Sequence, residues 1–478
     1  MVTYAGKATT DIELRPDTGS FRDPSGGILL SGDRVLRYFR PAAATPFNQV
    51  YDSGILDSLH VKGSLVGTKL LAPAVEAGLY SEAMETTDGE VALLLEHERI
   101  PFLSYMYGWP FEMLRDAALC QLDVLDEALS AGFMVKDATP FNIQFVGSRP
   151  VFIDVASIEP YEDGQIWTGY SQFCRTFLNP LLLQSLRDVP FHPWLRHSFD
   201  GIDPRDLSRV LGLGNKMRPS VFIHVVLQAY LNRRTAGAQP SGQSHRPIKK
   251  EATQQLVRGL RGTISKLHRK GSKTTWIDYE DQLPYADEAL AAKERFVEDS
   301  VRGLRPSVLW DLGCNRGLFS TLAAKHAGYV VAMDFDEATV GALYERVKGS
   351  FPNILPLVVD LMNPEPDQGW AQTERQGLAS RGPADFILAL ALVHHLRISG
   401  NVPLSRIFAW LHDITRAGII EFVPRTDPMV QRLLSTRKDV YDDYEQGPFE
   451  AALTDVFRIE ERLQLPGSER ILYRFSAK

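Results

Sequence analysis

A glycine-bearing turn at residues 308–320 has the composition of a ligand-binding loop. The segment reads VLWDLGCNRGLFS, so an apolar run leads into Gly313 and Gly317. Glycine lets a backbone approach a ligand closely and adopt a positive φ. In a dinucleotide site with the pattern G-x-G-x-x-G, the second glycine admits the pyrophosphate, but that position is Asn315 here. The turn therefore favours a nucleotide-like ligand without a phosphate.

Acidic side chains mark three successive apolar segments in the same region. Asp311 lies beside the turn, Asp334 ends the segment VVAMD, and Asp360 ends LPLVVD. The carboxyl ends of parallel strands form the ligand-binding edge of an α/β sheet. There, Asp334 can accept hydrogen bonds from both hydroxyls of a ribose, and Asp360 can accept one from an adenine amino group. Three unrelated turn aspartates are the alternative interpretation.

S-adenosylmethionine is the ligand that this set of residues matches. It carries an adenine, a ribose and an amino-acid end but no phosphate, and Asp311 suits the ammonium of the amino-acid end. We therefore expect it as the cofactor. The predicted contact residues are Asp311, Gly313, Cys314, Asn315, Gly317, Asp334, Phe335, Asp360 and Leu361.

Two adjacent histidines end the next apolar segment, FILALALVHHL. An imidazole titrates near neutrality, so His394 or His395 could take a proton from an acceptor hydroxyl during methyl transfer. The sequence does not choose between them, and both could instead cap the strand end. Glu421, in the segment IIEF, could orient the acceptor or a histidine, or serve the fold alone. These residues could also bind a divalent metal, but their spacing matches no ligand motif, so we predict no metal site.

A polar segment before the final apolar segments, STRKDVYDDYEQGPFE at 435–450, is predicted to contact the acceptor. Its Arg, Asp and Tyr side chains could hydrogen-bond a polyhydroxylated or charged molecule. A solvated loop is the alternative. The predicted substrate residues are Arg437, Asp439, Tyr441 and Tyr444.

The N-terminal half carries a second pattern, VKDATPFNIQFVGSRPVFIDV. Asp137, Asn142 and Asp154 are spaced as in kinase-like phosphotransferases, where such residues position a hydroxyl and hold magnesium. The pattern departs from that class, because Val135 stands where a His is usual and Asp154 is followed by Val-Ala. We predict a degenerate kinase-like module that binds substrate or acts as a scaffold. An active phosphotransferase and a coincidence are the alternatives.

These motifs resemble those of class I methyltransferases. Segment by segment, the chain is similar to a bacterial family of uncharacterised methyltransferases that includes host-specific nodulation proteins of the NoeA type. The similar segments include TTWIDYEDQLPYADEA, GPADFILALALVHHL, IIEFVPRTDPMVQRLL, ERILYRF and, upstream, SYMYGWPFEMLRDAAL. The resemblance implies a methyltransferase domain from about Trp276 onward. It also implies that Tyr279 and Tyr285 close over the cofactor.

The order of apolar segments predicts the fold class. After residue 276, strand and helix patterns alternate, which indicates an α/β, Rossmann-like, mostly parallel sheet. The last two strand patterns flank Pro466-Gly467-Ser468 and predict an antiparallel hairpin. We expect an α+β, kinase-like domain at 1–231, a basic linker with an amphipathic helix at 232–275, and the methyltransferase domain at 276–478.

Composition narrows the class of protein. The 478 residues have a net charge of −7, and 44% are hydrophobic and 23% charged, as in ordinary globular proteins. We expect no nucleic-acid partner and no membrane association, although the basic helix near 252–270 could serve either. Three distant cysteines and the lack of a signal peptide favour the cytoplasm.

Together these features predict an enzyme that transfers a methyl group from S-adenosylmethionine to the oxygen of a small-molecule or glycan-like acceptor. The alternatives are methylation of nitrogen or carbon, a bifunctional kinase–methyltransferase, and a catalytically silent cofactor-binding scaffold. The intact cofactor motif argues against the silent scaffold. The sequence leaves the oligomeric state open.

Overall fold

The computed structural model describes residues 13–235, 248–270, 287–435 and 438–478. The first described elements form an antiparallel sheet in the strand order β1-β2-β3-β5-β4, with three helices inserted between its strands. Leu29, Leu36 and Leu94 from its three central strands are fully buried in a small apolar core. The elements are β1 (Arg15–Pro16), β2 (Gly26–Ser31), β3 (Arg34–Phe39), α1 (Pro41–Asp52), α2 (Ile55–Val61), β4 (Thr68–Leu70), α3 (Ala77–Thr87) and β5 (Leu93–His97).

A mainly helical layer with two short antiparallel pairs follows the first sheet. Its elements are α4 (Phe111–Ser130), β6 (Phe133–Val135), β7 (Ile143–Val146), β8 (Arg149–Phe152), β9 (Ile158–Pro160), α5 (Tyr170–Phe173), α6 (Asn179–Arg187), α7 (His192–His197), α8 (Pro204–Val210), α9 (Leu213–Lys216), α10 (Pro219–Val221) and α11 (Gln228–Thr235). Strand β6 pairs with β9, and β7 pairs with β8. The α+β character predicted for this half is present. The kinase-like assignment stays a prediction.

The predicted amphipathic helix is α12 (Lys250–Ile264), and it packs along α4. Its apolar stripe is buried at Val257, Leu260 and Ile264. Its basic face meets acidic residues of α4, because Arg261 Nε lies 2.6 Å from Asp123 Oδ1. The basic face therefore has a partner within the chain.

The C-terminal half is a seven-stranded sheet in the order β12-β11-β10-β13-β14-β16-β15. The first five strands in that order are parallel, and the last two form an antiparallel hairpin. The predicted mostly parallel α/β sheet closed by a hairpin is therefore confirmed. The elements are α13 (Asp287–Leu304), β10 (Val308–Leu312), α14 (Leu318–Ala323), β11 (Tyr329–Asp334), α15 (Glu337–Val347), β12 (Ile354–Val358), β13 (Phe386–Ala389), α16 (Leu404–Ile414), β14 (Ala417–Phe422), α17 (Pro428–Leu434), α18 (Gln446–Val456), β15 (Phe457–Gln464) and β16 (Ile471–Ala477).

The two halves share a continuous apolar core. The Phe145 ring packs edge-on against Tyr344 of α15, with 6.2 Å between the ring centroids. Polar contacts cross the same boundary: the Tyr344 hydroxyl donates to Asp116 Oδ2 at 2.8 Å, and the Gly147 N–H donates to the Tyr329 hydroxyl at 2.9 Å. The N-terminal half thus covers one face of the parallel sheet, which needs both faces buried. In the described ranges, no helix is long and apolar enough to cross a bilayer.

Candidate functional site

A cavity of about 410 Å³ opens at the carboxyl ends of β10, β11, β12 and β13. This is the sheet edge at which α/β folds bind ligands. The predicted cofactor residues that line it are Asp311, Gly313, Cys314, Asn315, Asp334, Phe335, Asp360 and Leu361. The ends of all four strands thus contribute residues to the cavity wall.

The glycine-bearing turn forms the floor of the cavity. Gly313 has a φ of +80°, and its N–H donates to the Met333 carbonyl at 2.8 Å. Gly317, also predicted to contact the cofactor, is absent from the described lining. A Cβ at Gly317 would lie 2.6 Å from Leu343 Cδ1, and its φ is +75°. The second glycine thus lets α14 start close against α15, which is a packing role.

The three acids differ in burial. Asp311 is 2% exposed and accepts a hydrogen bond from Ser320 Oγ at 2.6 Å. Burial raises the pKa of Asp311 to about 7. Asp334 accepts from the N–H groups of Asn315, at 2.9 Å, and Asp336, at 3.0 Å, and burial also raises its pKa. Asp360 is exposed at the rim.

Two buried polar atoms in the cavity wall have no hydrogen-bond partner among the described residues. They are Asn315 Oδ1 and Thr339 Oγ1. An unsatisfied buried polar atom costs free energy unless water or a ligand satisfies it. Both residues line the same cavity as Asp334, and a ligand rich in hydroxyl and amino groups would satisfy these atoms there. The residues present therefore fit the nucleoside part of S-adenosylmethionine. Thr339 was missed by sequence reasoning, although it lies in the first helix turn after the Asp334 strand.

The two histidines occupy different places. His395 lines the cavity, and burial lowers its pKa to about 4. His394 is 1% exposed and lies behind it, with 4.2 Å between the ring centroids. Neither ring nitrogen of His394 has a hydrogen-bond partner among the described residues, and burial lowers its pKa well below the usual value. Of the two, His395 is the one that a ligand in the cavity would meet.

Glu421 lies beneath the cavity at the centre of a buried ionic network. It is 0% exposed, and Lys293 Nζ of α13 lies 2.6 Å from its Oε2. The same oxygen accepts the N–H of Ala391 at 2.9 Å, and Arg470 Nη1 lies 3.4 Å from Oε1. Ala391 has a φ of +49°, so Glu421 holds a strained backbone that leads to the histidines. Its position suits orientation of the cavity wall.

Lys293 lines the cavity and was missed by sequence reasoning. A signal for it exists, since Lys293 lies four residues from both Ala289 and Val297, which are buried on the same face of α13. A lysine in the middle of an apolar stripe is unusual enough to single out.

Of the residues predicted to contact the acceptor, the three that the structure describes, Asp439, Tyr441 and Tyr444, do not line the cavity. Tyr441 and Tyr444 are buried, and their hydroxyls donate to the carbonyls of Ile398, at 3.0 Å, and Val423, at 2.8 Å. Asp439 forms an ion pair with Arg425. In the structure these side chains hold the segment against the fold. Arg437, Tyr279 and Tyr285 lie outside the described residues.

The kinase-like set lies elsewhere, between the first sheet and the helical layer. Arg37 of β3 reaches Asp154, with 3.0 Å between Nη2 and Oδ1. Burial, and then the neighbouring charge of Asp154, raise the pKa of Asp137. Asn142 Nδ2 is buried without a partner among the described residues. The three predicted residues thus share one region. No group of three His, Cys, Asp or Glu side chains in the described ranges has metal-holding geometry.

Comparisons with known proteins show to which family the chain belongs. No family model matches the chain. The chain is 38% identical over 462 residues to the nodulation protein NoeA of Rhizobium meliloti (strain 1021), covering 96% of this chain and 95% of the relative. Among solved structures, the N-methyltransferase NodS from Bradyrhizobium japonicum WM9 matches 40% of this chain and 97% of its own, with 14% identity and a TM-score of 0.30.

A second solved structure, the magnesium protoporphyrin IX methyltransferase from Synechocystis PCC 6803 with bound SAH, matches 44% of this chain and 90% of its own, with 15% identity and a TM-score of 0.29. The sequence identity to NoeA spans nearly the whole of both chains. This chain therefore belongs to the NoeA family.

Proposed function

We propose that this chain is a methyltransferase that uses S-adenosylmethionine, bound in the cavity at the ends of β10 to β13. The observation that carries the proposal is the placement of Asp311, Asp334 and Asp360. They follow one another along three adjacent parallel strands, and all three line one cavity. A cofactor with an ammonium, a ribose and an adenine offers hydrogen-bond donors in the same order.

Each acid then has a separate binding role. Asp334 accepts hydrogen bonds from the ribose hydroxyls, and Asp360 at the rim accepts from the adenine amino group. Asp311, in the buried part of the cavity, faces the ammonium of the amino-acid end. When bound, the cofactor supplies a methyl group on a positively charged sulfur. The chain's part is to hold that group and an acceptor atom in line and to remove a proton.

We further propose that the acceptor atom is an oxygen of a small-molecule or glycan-like compound. A hydroxyl must lose its proton as it attacks, so it profits from a base beside the methyl group. His395 is the candidate for that role because it lines the cavity, and its lowered pKa leaves the imidazole uncharged, and so able to accept a proton, at neutral pH. An amine, by contrast, attacks with a free electron pair and can lose its proton to water afterwards. An amine that is already uncharged would leave His395 without this task, whereas a carbon acceptor, like a hydroxyl, would also need a base.

Isothermal titration of the full chain with S-adenosylhomocysteine tests the cofactor assignment. The natural chain is expected to bind it, and Asp334→Ala to abolish binding. Asp455→Ala is the matched control, because Asp455 is exposed on α18 and does not line the cavity. Unchanged binding by Asp334→Ala would overturn the proposal.

A second candidate function for residues 1–231 is binding of a magnesium nucleotide for phosphoryl transfer. The observation in its favour is the grouping of Asp137, Asn142 and Asp154 next to Arg37. The test is the thermal unfolding of the full chain with and without magnesium and ATP, beside the variant Asp154→Asn. A rise in the unfolding temperature that Asp154→Asn removes supports nucleotide binding. No rise in the natural chain leaves a substrate-binding or scaffold role for this half.

We also propose a cytoplasmic location. Cys120 and Cys174 are buried, and burial raises the pKa of each thiol to about 12. Such thiols resist oxidation because the reactive form is the thiolate. Among the described residues no two cysteines form a disulfide. A reducing compartment suits this arrangement.

A further inference from the structure

We propose that Lys293 binds the carboxylate of the cofactor's amino-acid end and so acts as a cofactor-positioning residue. This inference rests on the proposed use of S-adenosylmethionine and goes beyond it, because no motif in the sequence assigns a partner to that carboxylate. That carboxylate is the negatively charged group of the cofactor, so the three acids cannot serve as its partners.

The charge of the cavity wall leads to Lys293. Among the described residues that line the cavity, Lys293 is the one Lys or Arg, whereas Asp311, Asp334 and Asp360 are acids. A carboxylate that enters this wall is repelled by the acids and attracted by a single ammonium. A buried carboxylate also needs a charge partner, since an unpaired buried charge is costly.

The neighbours of Lys293 fit an α-amino acid. Lys293 is close enough to Asp311 that its charge lowers the pKa of that carboxyl against the effect of burial. The cavity wall thus contains both a buried cation and a buried acid. An α-amino acid carries its ammonium and carboxylate on one carbon atom, so the two groups meet opposite partners at once. Lys293 Nζ also lies 5.0 Å from the centroid of the Phe319 ring, another cavity residue.

The structure also shows what holds Lys293 in place. Its Nζ lies 2.6 Å from Glu421 Oε2, and both side chains are buried. An ammonium has three N–H donors, so it can bind Glu421 and a ligand carboxylate together. Glu421 has a further cation, Arg470, which in turn pairs with Asp427 at 2.7 Å. Neutralising Glu421 alone does not explain a buried lysine, because buried ion pairs are often no more stabilising than apolar residues.

The experiment compares two ligands that differ in the carboxylate alone. S-adenosylhomocysteine and its decarboxylated analogue, S-adenosyl-3-thiopropylamine, are titrated calorimetrically into the full chain and into Lys293→Met. The natural chain is expected to prefer S-adenosylhomocysteine by roughly 10- to 100-fold, the range for a hydrogen bond between charged groups. Lys293→Met should reduce that preference to less than about threefold. The two ligands differ only in the carboxylate, and the variant lacks the ammonium that is proposed to bind it.

Controls separate this inference from the cofactor assignment. Asp311→Asn should keep the preference for the carboxylate while it weakens both ligands. Methylthioadenosine lacks the whole amino-acid end, so Lys293→Met should bind it as the natural chain does, which shows that the variant is folded. Lys293→Gln, which keeps a donor toward Glu421, serves the same comparison if the Met variant does not fold.

The outcomes are distinct. An equal preference for S-adenosylhomocysteine in the natural chain and in a folded Lys293 variant overturns the role of Lys293 and leaves the cofactor assignment standing. A natural chain that binds neither S-adenosylhomocysteine nor methylthioadenosine overturns both.

Discussion

The carboxylate of Asp334 accepts a hydrogen bond from the backbone N–H of Asn315 at 2.9 Å, so the end of β11 holds the turn that follows β10. Its other oxygen accepts the N–H of Asp336 at 3.0 Å. Asp334 therefore shapes the cavity before any ligand arrives. Each of its two oxygens accepts a hydrogen bond from a backbone N–H, so replacement of either oxygen breaks one of these bonds.

Asp334→Asn is accordingly expected to destabilise the fold as well as the site. Asparagine replaces one acceptor oxygen with an NH₂ group that faces a backbone donor. The free energy of unfolding should fall by about 1–3 kcal/mol, the cost of leaving a buried polar group unsatisfied. Urea unfolding of the variant beside Asp455→Asn, an exposed control, measures it. Equal stability of the two variants would contradict a structural role for the Asp334–Asn315 contact.

The pH dependence of cofactor binding should report Asp311. Its folded-state pKa is raised to about 7 by burial, so the carboxyl is increasingly protonated below that pH. The ligand's ammonium prefers the ionised form, so binding below pH 7 requires the release of a proton. The affinity for S-adenosylhomocysteine should therefore be about tenfold weaker at pH 6 than at pH 8.

Asp311→Asn is the control for this pH effect, since its side chain does not titrate. It should bind S-adenosylhomocysteine more weakly than the natural chain at pH 8, with an affinity that changes little between pH 6 and pH 8. Calorimetry at each pH measures both chains. The same slope in the variant would assign the pH effect to another group.

Replacement of His394 should affect stability, whereas replacement of His395 should affect catalysis. His394 is buried with neither ring nitrogen hydrogen-bonded to a described residue. Replacement with leucine removes two unsatisfied polar atoms, so His394→Leu should keep or raise the free energy of unfolding, by up to about 2 kcal/mol. Chemical denaturation tests this expectation. A clear loss of stability would mean that the imidazole has a partner that the described residues do not include.

His395 should stay uncharged throughout the neutral range. Burial lowers its pKa to about 4, so its ring signals in an NMR titration should not shift between pH 5.5 and 7.5. His395→Gln identifies the signals by their loss. The variant should bind S-adenosylhomocysteine as the natural chain does, while methyl transfer to a hydroxyl acceptor slows by roughly 10²- to 10⁴-fold, the usual range for a general base. An imidazole that titrates near pH 6.5 would contradict the burial argument.

Local sequence was enough to predict the acids of the cavity, because strand ends and turns are read from short-range patterns. Asp311 and Asp334 lie in the last two residues of their apolar strands and Asp360 comes just after the next one, and parallel pairing brings those strand ends together. Lys293 could not be placed the same way, because its partner Glu421 is remote in sequence and only tertiary packing brings the two together.

Long-range packing also explains why some residues that were predicted to bind a ligand have packing roles in the structure. Tyr441 and Tyr444 lie in a segment with the composition of a polar substrate loop. Their rings are nevertheless buried, and their hydroxyls donate to backbone carbonyls. A tyrosine can serve a solvated loop or a buried anchor, and only its neighbours decide which. Gly317 similarly has a packing neighbour, Leu343, that the turn pattern does not reveal.

The contact of Gly147 with the sheet provides a test of how closely the halves depend on each other. Gly147 has a φ of +61°, and a Cβ there would lie 1.9 Å from the carbonyl oxygen of Pro352, just before β12. Gly147→Ala must therefore displace backbone at the boundary between the halves. The free energy of unfolding should fall by more than about 3 kcal/mol, and the affinity for S-adenosylhomocysteine should fall with it, since β12 leads to Asp360.

Gly349→Ala is the matched control for backbone strain alone. Gly349 also has a positive φ, of +78°, but no atom lies within 4 Å of a Cβ built there. Its replacement should cost about 1–2 kcal/mol, the penalty of a side chain in the left-handed region, with no change in cofactor affinity. Thermal unfolding and calorimetry on both variants separate the two effects. If Gly147→Ala lost no more stability than Gly349→Ala, the close approach of the N-terminal half to β12 would not hold in solution.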